Sequence, residues 1–284
     1  MDEGHRLFGS SEADPTDDDA DDPRAIEEAL PAAMERALAD LDADSSAPPH
    51  FLAQALRVAK LDVPRALRVC ANLERFRAGE RWALPLRARD VETACLHSRM
   101  HVVLPRDRRG RPLLLYDAAR LDVGLAPLSE YQKMGSYLME AMTSAAADQH
   151  GGVALVVDLG GEARVGATWA LARAFSIADV RRGVLMWRDT FPAKLKRVYI
   201  TRASGSLRAL ARAGLALVRE KVRKRVLIVD DLAQLHAEIP PESLPRELGG
   251  VLDDQYWEDW VEKRRTAELA AERAGPGLPV QAVG

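Results

Sequence analysis

The sequence predicts an α/β domain: a mostly parallel open sheet with flanking helices, preceded by a small all-helical N-terminal subdomain. Three observations carry this expectation. Short apolar runs alternate with helical periods through the later two thirds, as parallel strands joined by crossover helices require. One run, Val153-Ala154-Leu155-Val156-Val157, is continuously apolar and rich in β-branched residues, the mark of a strand buried on both faces. The first third, by contrast, shows helical apolar spacing and no strand pattern.

A chain of 284 residues, 47% of them hydrophobic, is long enough to bury one large or two small cores. No run approaches the roughly 18 apolar residues that a membrane span needs. Residues Met1–Ser10 lack a basic region followed by an apolar core, so no secretory leader is expected. The two cysteines, Cys70 and Cys95, are widely spaced and fit a reducing compartment better than a disulfide framework. The expected location is cytoplasmic.

Residues 1–22 hold nine acids and one arginine with almost nothing to bury, which predicts an acidic disordered leader over 1–23. Pro23 suits a first helical turn, and Ile26, Ala29, Leu30, Ala33, Leu38 and Leu41 follow at helical spacing. After a break at Asp44–Pro49, a second helix is expected over His50–Val58. Asp62 then caps a third, with Pro64 just inside it and Ala66, Leu67, Cys70, Leu73 and Phe76 along its apolar face. Residues 24–98 read as the helical subdomain and 99–252 as the sheet domain. Within the latter, strands Met100–Leu104 and Leu113–Tyr116 flank the polar turn Asp107–Pro112. A helix over Ser129–Ala147 precedes the apolar strand, and another over Thr168–Asp189 follows it. Strand Arg197–Thr201, helix Ser206–Val218, strand Arg225–Val229 and a helix over Leu232–His236 capped by Asp231 complete the unit. Residues 253–284 form a C-terminal helix and tail. Its Trp257 and Trp260 either dock a protein partner or pack back on the domain.

Charge is concentrated in one place. Between Phe191 and Arg225 there are eleven Lys or Arg against one acid, a local +10 in a chain whose total is −3. Such a surface points to an anionic partner. Aromatic side chains for stacking bases are scarce there (Phe191 and Tyr199), so nucleic acid is not the expected partner. Cys95-x-His97-x-x-x-His101 has metal-like spacing but no evident fourth ligand, and no metal is expected. No glycine-rich dinucleotide loop, phosphate loop or Gly-x-Ser-x-Gly turn occurs, and Arg202-Ala203-Ser204-Gly205-Ser206 has no base beside it. The expectation is a protein without catalytic residues or cofactor.

Several motifs, in order, resemble the CRAL-TRIO lipid-binding family, close in pattern to its alpha-tocopherol and retinaldehyde carrier branch. They are Phe51-Leu52-x-x-x-Leu56-Arg57-x-x-Lys60-Leu61-Asp62-Val63-x-x-Ala66, then Gly110-Arg111-Pro112, Asp158-Leu159-Gly160-Gly161 and Phe191-Pro192-x-Lys194-Leu195. Last comes Ile239-Pro240-Pro241-Glu242-x-Leu244-Pro245-x-x-Leu248-Gly249-Gly250. The resemblance covers residues 24 to about 252. It implies a hydrophobic pocket between the sheet and a movable gate helix, here Ser206–Val218. The matching walls are Gly135, Met139, Val153, Val157, Met186, Trp187, Phe191, Leu195 and Val198, with Leu207, Leu210 and Gly214 on the gate.

The same matching places Lys194, Lys196, Lys221 and Arg225 on a phosphoinositide-contacting patch, and puts Ala59 where a further arginine of that patch stands. Arg208, Arg212 and Arg219 form a stripe on the gate helix expected to meet headgroups. Leu215 stands where the phosphatidylinositol-transfer branch has a lysine, and Gly135 and Met139 stand where relatives carry hydroxyls. The enclosed ligand is therefore expected to be an isoprenoid, terpenoid or acyl chain rather than phosphatidylinositol. The resemblance implies lipid transfer by a protein transiently peripheral on endomembranes. The alternative is a non-transferring, membrane-recruited adaptor that uses the fold for protein contacts.

Overall fold

The structure, a computed structural model, describes residues 22–41, 45, 47–80, 82, 86–91, 98–122, 124–161, 191–216 and 220–274. The leader and the helix expected over 168–189 lie outside them. Two units divide the chain: Met1–Arg81 with Ile177–Lys194, and Trp82–Ser176 with Leu195–Gly284.

In the first unit, α1 (Pro23–Asp40) opens with Pro23 in its first turn, and the Asp22 carboxylate accepts from Arg24 N at 2.9 Å. Its buried stripe is Ile26, Leu30, Ala33 and Ala37. Leu38, expected on that stripe, is exposed, because one residue beyond Ala37 turns about 100° around the helix. Ala29 is exposed for the same reason. α2 (Pro49–Val58) buries Phe51, Leu52, Ala55 and Leu56, and Arg57 pairs with Glu27 of α1 at 2.7 Å. α3 (Val63–Glu80) is capped by Asp62, whose carboxylate accepts from Arg65 N at 3.0 Å. The turn Phe191–Ala193 is buried in this unit, with Gln54 Nε2 donating to Pro192 O at 3.1 Å.

Among the described residues, the second unit holds a five-stranded sheet whose spatial order repeats the chain order. The strands are β1 (His101–Arg106), β2 (Pro112–Asp117), β3 (Val153–Asp158), β4 (Leu195–Thr201) and β5 (Val226–Ile228). β1 and β2 pair antiparallel and the remaining pairs are parallel. The β1–β2 turn owes its shape to Asp107. Its Oδ1 accepts from Arg109 N at 2.9 Å and Arg111 N at 2.8 Å, and Gly110 supplies the required φ of 75°.

α4 (Ala88–Val91) precedes the sheet, and α5 (Leu128–Met142) and α6 (Ala146–Gly151) lead into β3. A single helix was expected over 129–147. It breaks because Thr143 Oγ1 and Ser144 Oγ donate to the carbonyls of Met139 and Ala141, at 2.8 and 3.1 Å, competing with helix continuation.

After β4 come α7 (Gly205–Ala216), α8 (Glu220–Arg225), β5, α9 (Leu232–Glu238) and α10 (Asp254–Ala274). Asp231 caps α9 as expected, accepting from Gln234 N at 3.0 Å. The loop after α9 buries Ile239, Leu244 and Leu248 completely. Gly250 sits so close to the chain that a Cβ there would lie 1.9 Å from Leu244 O. That contact explains the glycine closing this motif. Trp257 and Trp260 pack inward as a stacked pair, ring centroids 5.2 Å apart, so packing back is the outcome found. Among the described residues no helix is long and apolar enough to cross a membrane.

Candidate functional site

Alternation along β3 puts Val153, Leu155 and Val157 on one face and Ala154, Val156 and Asp158 on the other. The register extends both faces. Leu155 and Val157 align with Val198 and Ile200 of β4, which align with Val226 and Ile228 of β5. On the opposite face, Val156 aligns with Tyr199 and Asp158 with Thr201.

The two faces differ sharply in burial. Ala154, Val156 and Tyr199 are fully enclosed, at 0% exposure. Arg111 Nη2 donates to Tyr199 Oη at 3.4 Å, and that hydroxyl donates to Glu238 of α9 at 3.3 Å. The first face is different. Leu155, Val157, Val198, Ile200, Val226 and Ile228 are all apolar and only half-buried. A strip of aliphatic side chains three strands wide thus keeps part of its surface open.

Of the expected pocket walls, Val153 pairs with Leu195, while Val157 and Val198 lie along this half-open face. Toward β1 the same face carries His101, aligned with Tyr116 and edge-on to its ring at 5.1 Å. A Cβ on Gly135 of α5 would lie 3.9 Å from His101 Nε2, and Met139 is fully buried one turn further on. Burial lowers the His101 pKa to about 4 and keeps the ring neutral near pH 7. Cys95 and His97, the rest of the metal-like spacing, lie outside the described residues, as do Met186 and Trp187. Phe191 is buried in the first unit. Leu207 is buried on α7, while Leu210 and Gly214 are placed on that helix by backbone alone.

The cations converge at one edge of the sheet. β4 and β5 run parallel, with Val198 opposite Val226, so Lys196 and Arg197 at the start of β4 lie beside Lys224 and Arg225. A hydrogen bond confirms the approach: Arg197 Nη1 donates to Lys224 O at 2.8 Å. Lys221 precedes Arg225 by one turn of α8. Arg223 and Lys224 of that helix are exposed, and Glu220 pairs with Lys224 at 2.9 Å. Lys194 belongs to the first unit and ends it just before β4. Three of the four expected patch residues, Lys196, Lys221 and Arg225, therefore share the N-terminal edge of β4 and β5.

On the gate stripe, Arg208 and Arg212 both donate to Asp230 Oδ1, at 3.2 and 2.8 Å. Asp230 stands two residues beyond the end of β5, where the chain brings a carboxylate against α7. Arg219 lies outside the described residues.

Sequence reasoning missed a second feature, on the enclosed face of the sheet. A cleft of about 360 Å³ has Val102, Leu104 and Leu115 as its floor, with the carboxylates of Asp117 and Asp158 beside them and residues 245–247 and 252–257 as its wall. Its charges are matched internally: Asp117 accepts from Arg120 Nε at 3.0 Å, and Asp158 is gripped at both oxygens by Arg202. Burial, then the neighbouring Asp158, raises the pKa of Asp117. Aspartates closing two adjacent strands, in Leu115-Tyr116-Asp117 and Val156-Val157-Asp158, were the signal that marked this end of the sheet.

A family profile for the CRAL/TRIO domain matches residues 96–250, more than half of the chain. Clavesin-2 of Homo sapiens is 27% identical over 156 residues, 55% of this chain and 46% of that protein. Alpha-tocopherol transfer protein-like of Mus musculus is 26% identical over 218 residues, 73% of this chain and 60% of that protein. The chain thus spans about half the length of the curated relatives it matches. The crystal structure of Sfh5 superposes with a TM-score of 0.47 at 11% identity, covering 81% of this chain and 85% of that one.

Proposed function

Because the chain belongs to the CRAL-TRIO family of lipid-binding transfer proteins, we propose that it shelters a hydrophobic lipid on the half-open sheet face and carries it between membranes. One observation supports this most: β3 and β4 enclose Ala154, Val156 and Tyr199 on one face, while Leu155, Val157, Val198 and Ile200 on the other are aliphatic and half-buried. In an ordinary layered domain both faces of a parallel sheet are covered.

The energetics favour a carrier. Enclosing about a dozen methylenes gains on the order of 10 kcal/mol against water. Against a bilayer the gain is near zero, so cargo is both extracted and released. The ligand class that fits is an isoprenoid, terpenoid or acyl chain, held by Gly135, Met139, Val153, Val157, Leu195 and Val198 with α7 as cover. Residues 24–98 and 99–252 serve as helical subdomain and lipid-binding domain in this reading.

Docking uses the basic edge. Lys194, Lys196, Lys221 and Arg225 contact phosphoinositide headgroups, each contributing about 1 kcal/mol near an anionic leaflet, or nearly a thousandfold together. The protein then works in the cytoplasm and visits endomembranes.

Native mass spectrometry of the purified chain tests the cargo: a co-purified lipid is expected, and an empty, well-folded chain would favour the adaptor. Lys194→Ala with Lys196→Ala tests the edge by sedimentation with phosphoinositide vesicles. Unchanged sedimentation would remove the membrane assignment.

A further inference from the structure

The two arginines on α7 make an arrangement that packing alone does not require. Arg208 Nη1 and Arg212 Nη2 converge on a single oxygen, Asp230 Oδ1, at 3.2 and 2.8 Å. Arg208 Nη2 also donates to Ala203 O at 3.2 Å, while its Nε is enclosed without an acceptor. Two guanidinium groups thus address one carboxylate and leave a donor unused. A phosphate, with more acceptor oxygens and more negative charge, matches such a pair better than one carboxylate does.

Among the described residues, accessibility divides the ion pairs at α7 into two kinds. At its start, Arg202 is held at a left-handed φ of 50° and grips Asp158, whose side chain is only 3% exposed. Along its length, Arg208, Arg212 and Asp230 are 31, 58 and 44% exposed. The first attachment is shielded from salt and competing anions; the second is open to both. A helix fixed at one end and clasped by reachable ions along its side has the construction of a hinged cover.

We propose that Arg208 and Arg212 form a binding pair for membrane phospholipid phosphates, that Asp230 occupies this pair away from membranes, and that a headgroup displaces Asp230 and frees α7. The pair lies outside the basic edge of β4 and β5, and it couples docking to opening. The proposal rests on the reading of α7 as the cover of the lipid site. Its ligand is the phosphate of an anionic bilayer, such as one containing phosphatidylserine.

The test uses the full chain and two readouts: amide hydrogen exchange of α7, and sedimentation with phosphatidylcholine vesicles with or without phosphatidylserine. Exchange of α7 in the wild type is expected to rise on phosphatidylserine vesicles and to stay unchanged with phosphatidylcholine alone or with inorganic phosphate. Asp230→Asn raises exchange without vesicles and tightens sedimentation about fivefold, the worth of one charge at an anionic surface. Arg208→Gln with Arg212→Gln also raises exchange without vesicles, but weakens sedimentation by roughly twenty- to thirtyfold.

Glu262→Gln, which removes an exposed acid on α10, controls for net charge and is expected to leave both readouts unchanged. Release of α7 by inorganic phosphate overturns the membrane assignment. A Glu262→Gln effect equal to that of Asp230→Asn, or a sedimentation shift in the same direction for the asparagine and glutamine variants of the clasp, overturns the displacement. An empty chain in mass spectrometry would end the carrier reading while leaving this ordering of vesicle affinities intact, so the two failures are distinguishable.

Discussion

Val156 and Val157 are neighbours on β3 that face opposite ways, and lysine at each probes the two sides of the sheet separately. Val156 is 0% exposed. A lysine there forfeits about 2 kcal/mol of aliphatic burial and adds several more for an ammonium enclosed without a partner. A total of at least about 5 kcal/mol is comparable with the whole stability of an ordinary domain. Val157 is half-buried on the open face. Its lysine stem lies along the aliphatic strip while the ammonium reaches water, at a cost of about 1 kcal/mol. Urea unfolding should therefore show Val157→Lys near the wild-type midpoint and Val156→Lys largely unfolded. Native mass spectrometry of Val157→Lys should show a folded chain without lipid, since the ammonium sits where an acyl or terpenoid tail would lie. Equal stability losses would mean that the two faces are equally enclosed. Retention of lipid by folded Val157→Lys would mean that the cargo lies elsewhere.

Two further outcomes follow from local geometry. Gly250→Ala is expected to cost about 3 kcal/mol or more, read by chemical denaturation, because its Cβ would meet the backbone at Leu244 O (1.9 Å) and Pro241 O (2.5 Å); a wild-type midpoint would show that this loop yields freely. His101 should make the fold acid-sensitive. Its pKa falls from 6.5 to about 4 on folding, so between those values the unfolded chain binds the proton that the folded chain refuses, and stability declines as pH falls. The loss amounts to about 3 kcal/mol across that window, and His101→Gln should flatten it in denaturation curves measured at pH 7 and pH 4.

Much of the architecture was readable because local chemistry and global position agree. Asp62 and Asp231 cap the helices their neighbours start. The run Val153–Val157 forms the expected strand, and Gly110 and Gly250 stand where backbone conformation or crowding demands glycine. What escaped depends on contacts remote in sequence. Periodicity placed Arg208 and Arg212 on one side of α7 but held no information about Asp230, which arrives from beyond β5. It also treated Leu38 as core, since apolar spacing tolerates one residue of rotation that packing does not. The split between α5 and α6 turned on hydroxyls choosing carbonyls within their own helix, a competition that hydrophobic spacing does not register. Apolar composition predicted β3 buried on both faces; that one face is left half-open appears only when neighbouring strands are aligned.

The left-to-right arrangement of the sheet has a bearing on how the molecule is made. Because, among the described residues, no later strand must be inserted between two already paired, each newly synthesised strand finds its partner at a waiting edge. At about 5–20 residues per second on the ribosome, the layer grows by accretion from a hairpin seed, β1 with β2. The last addition, β5, is only three residues long and follows a cationic helix, so the finished sheet ends in a short, charged border that discourages further stacking of chains.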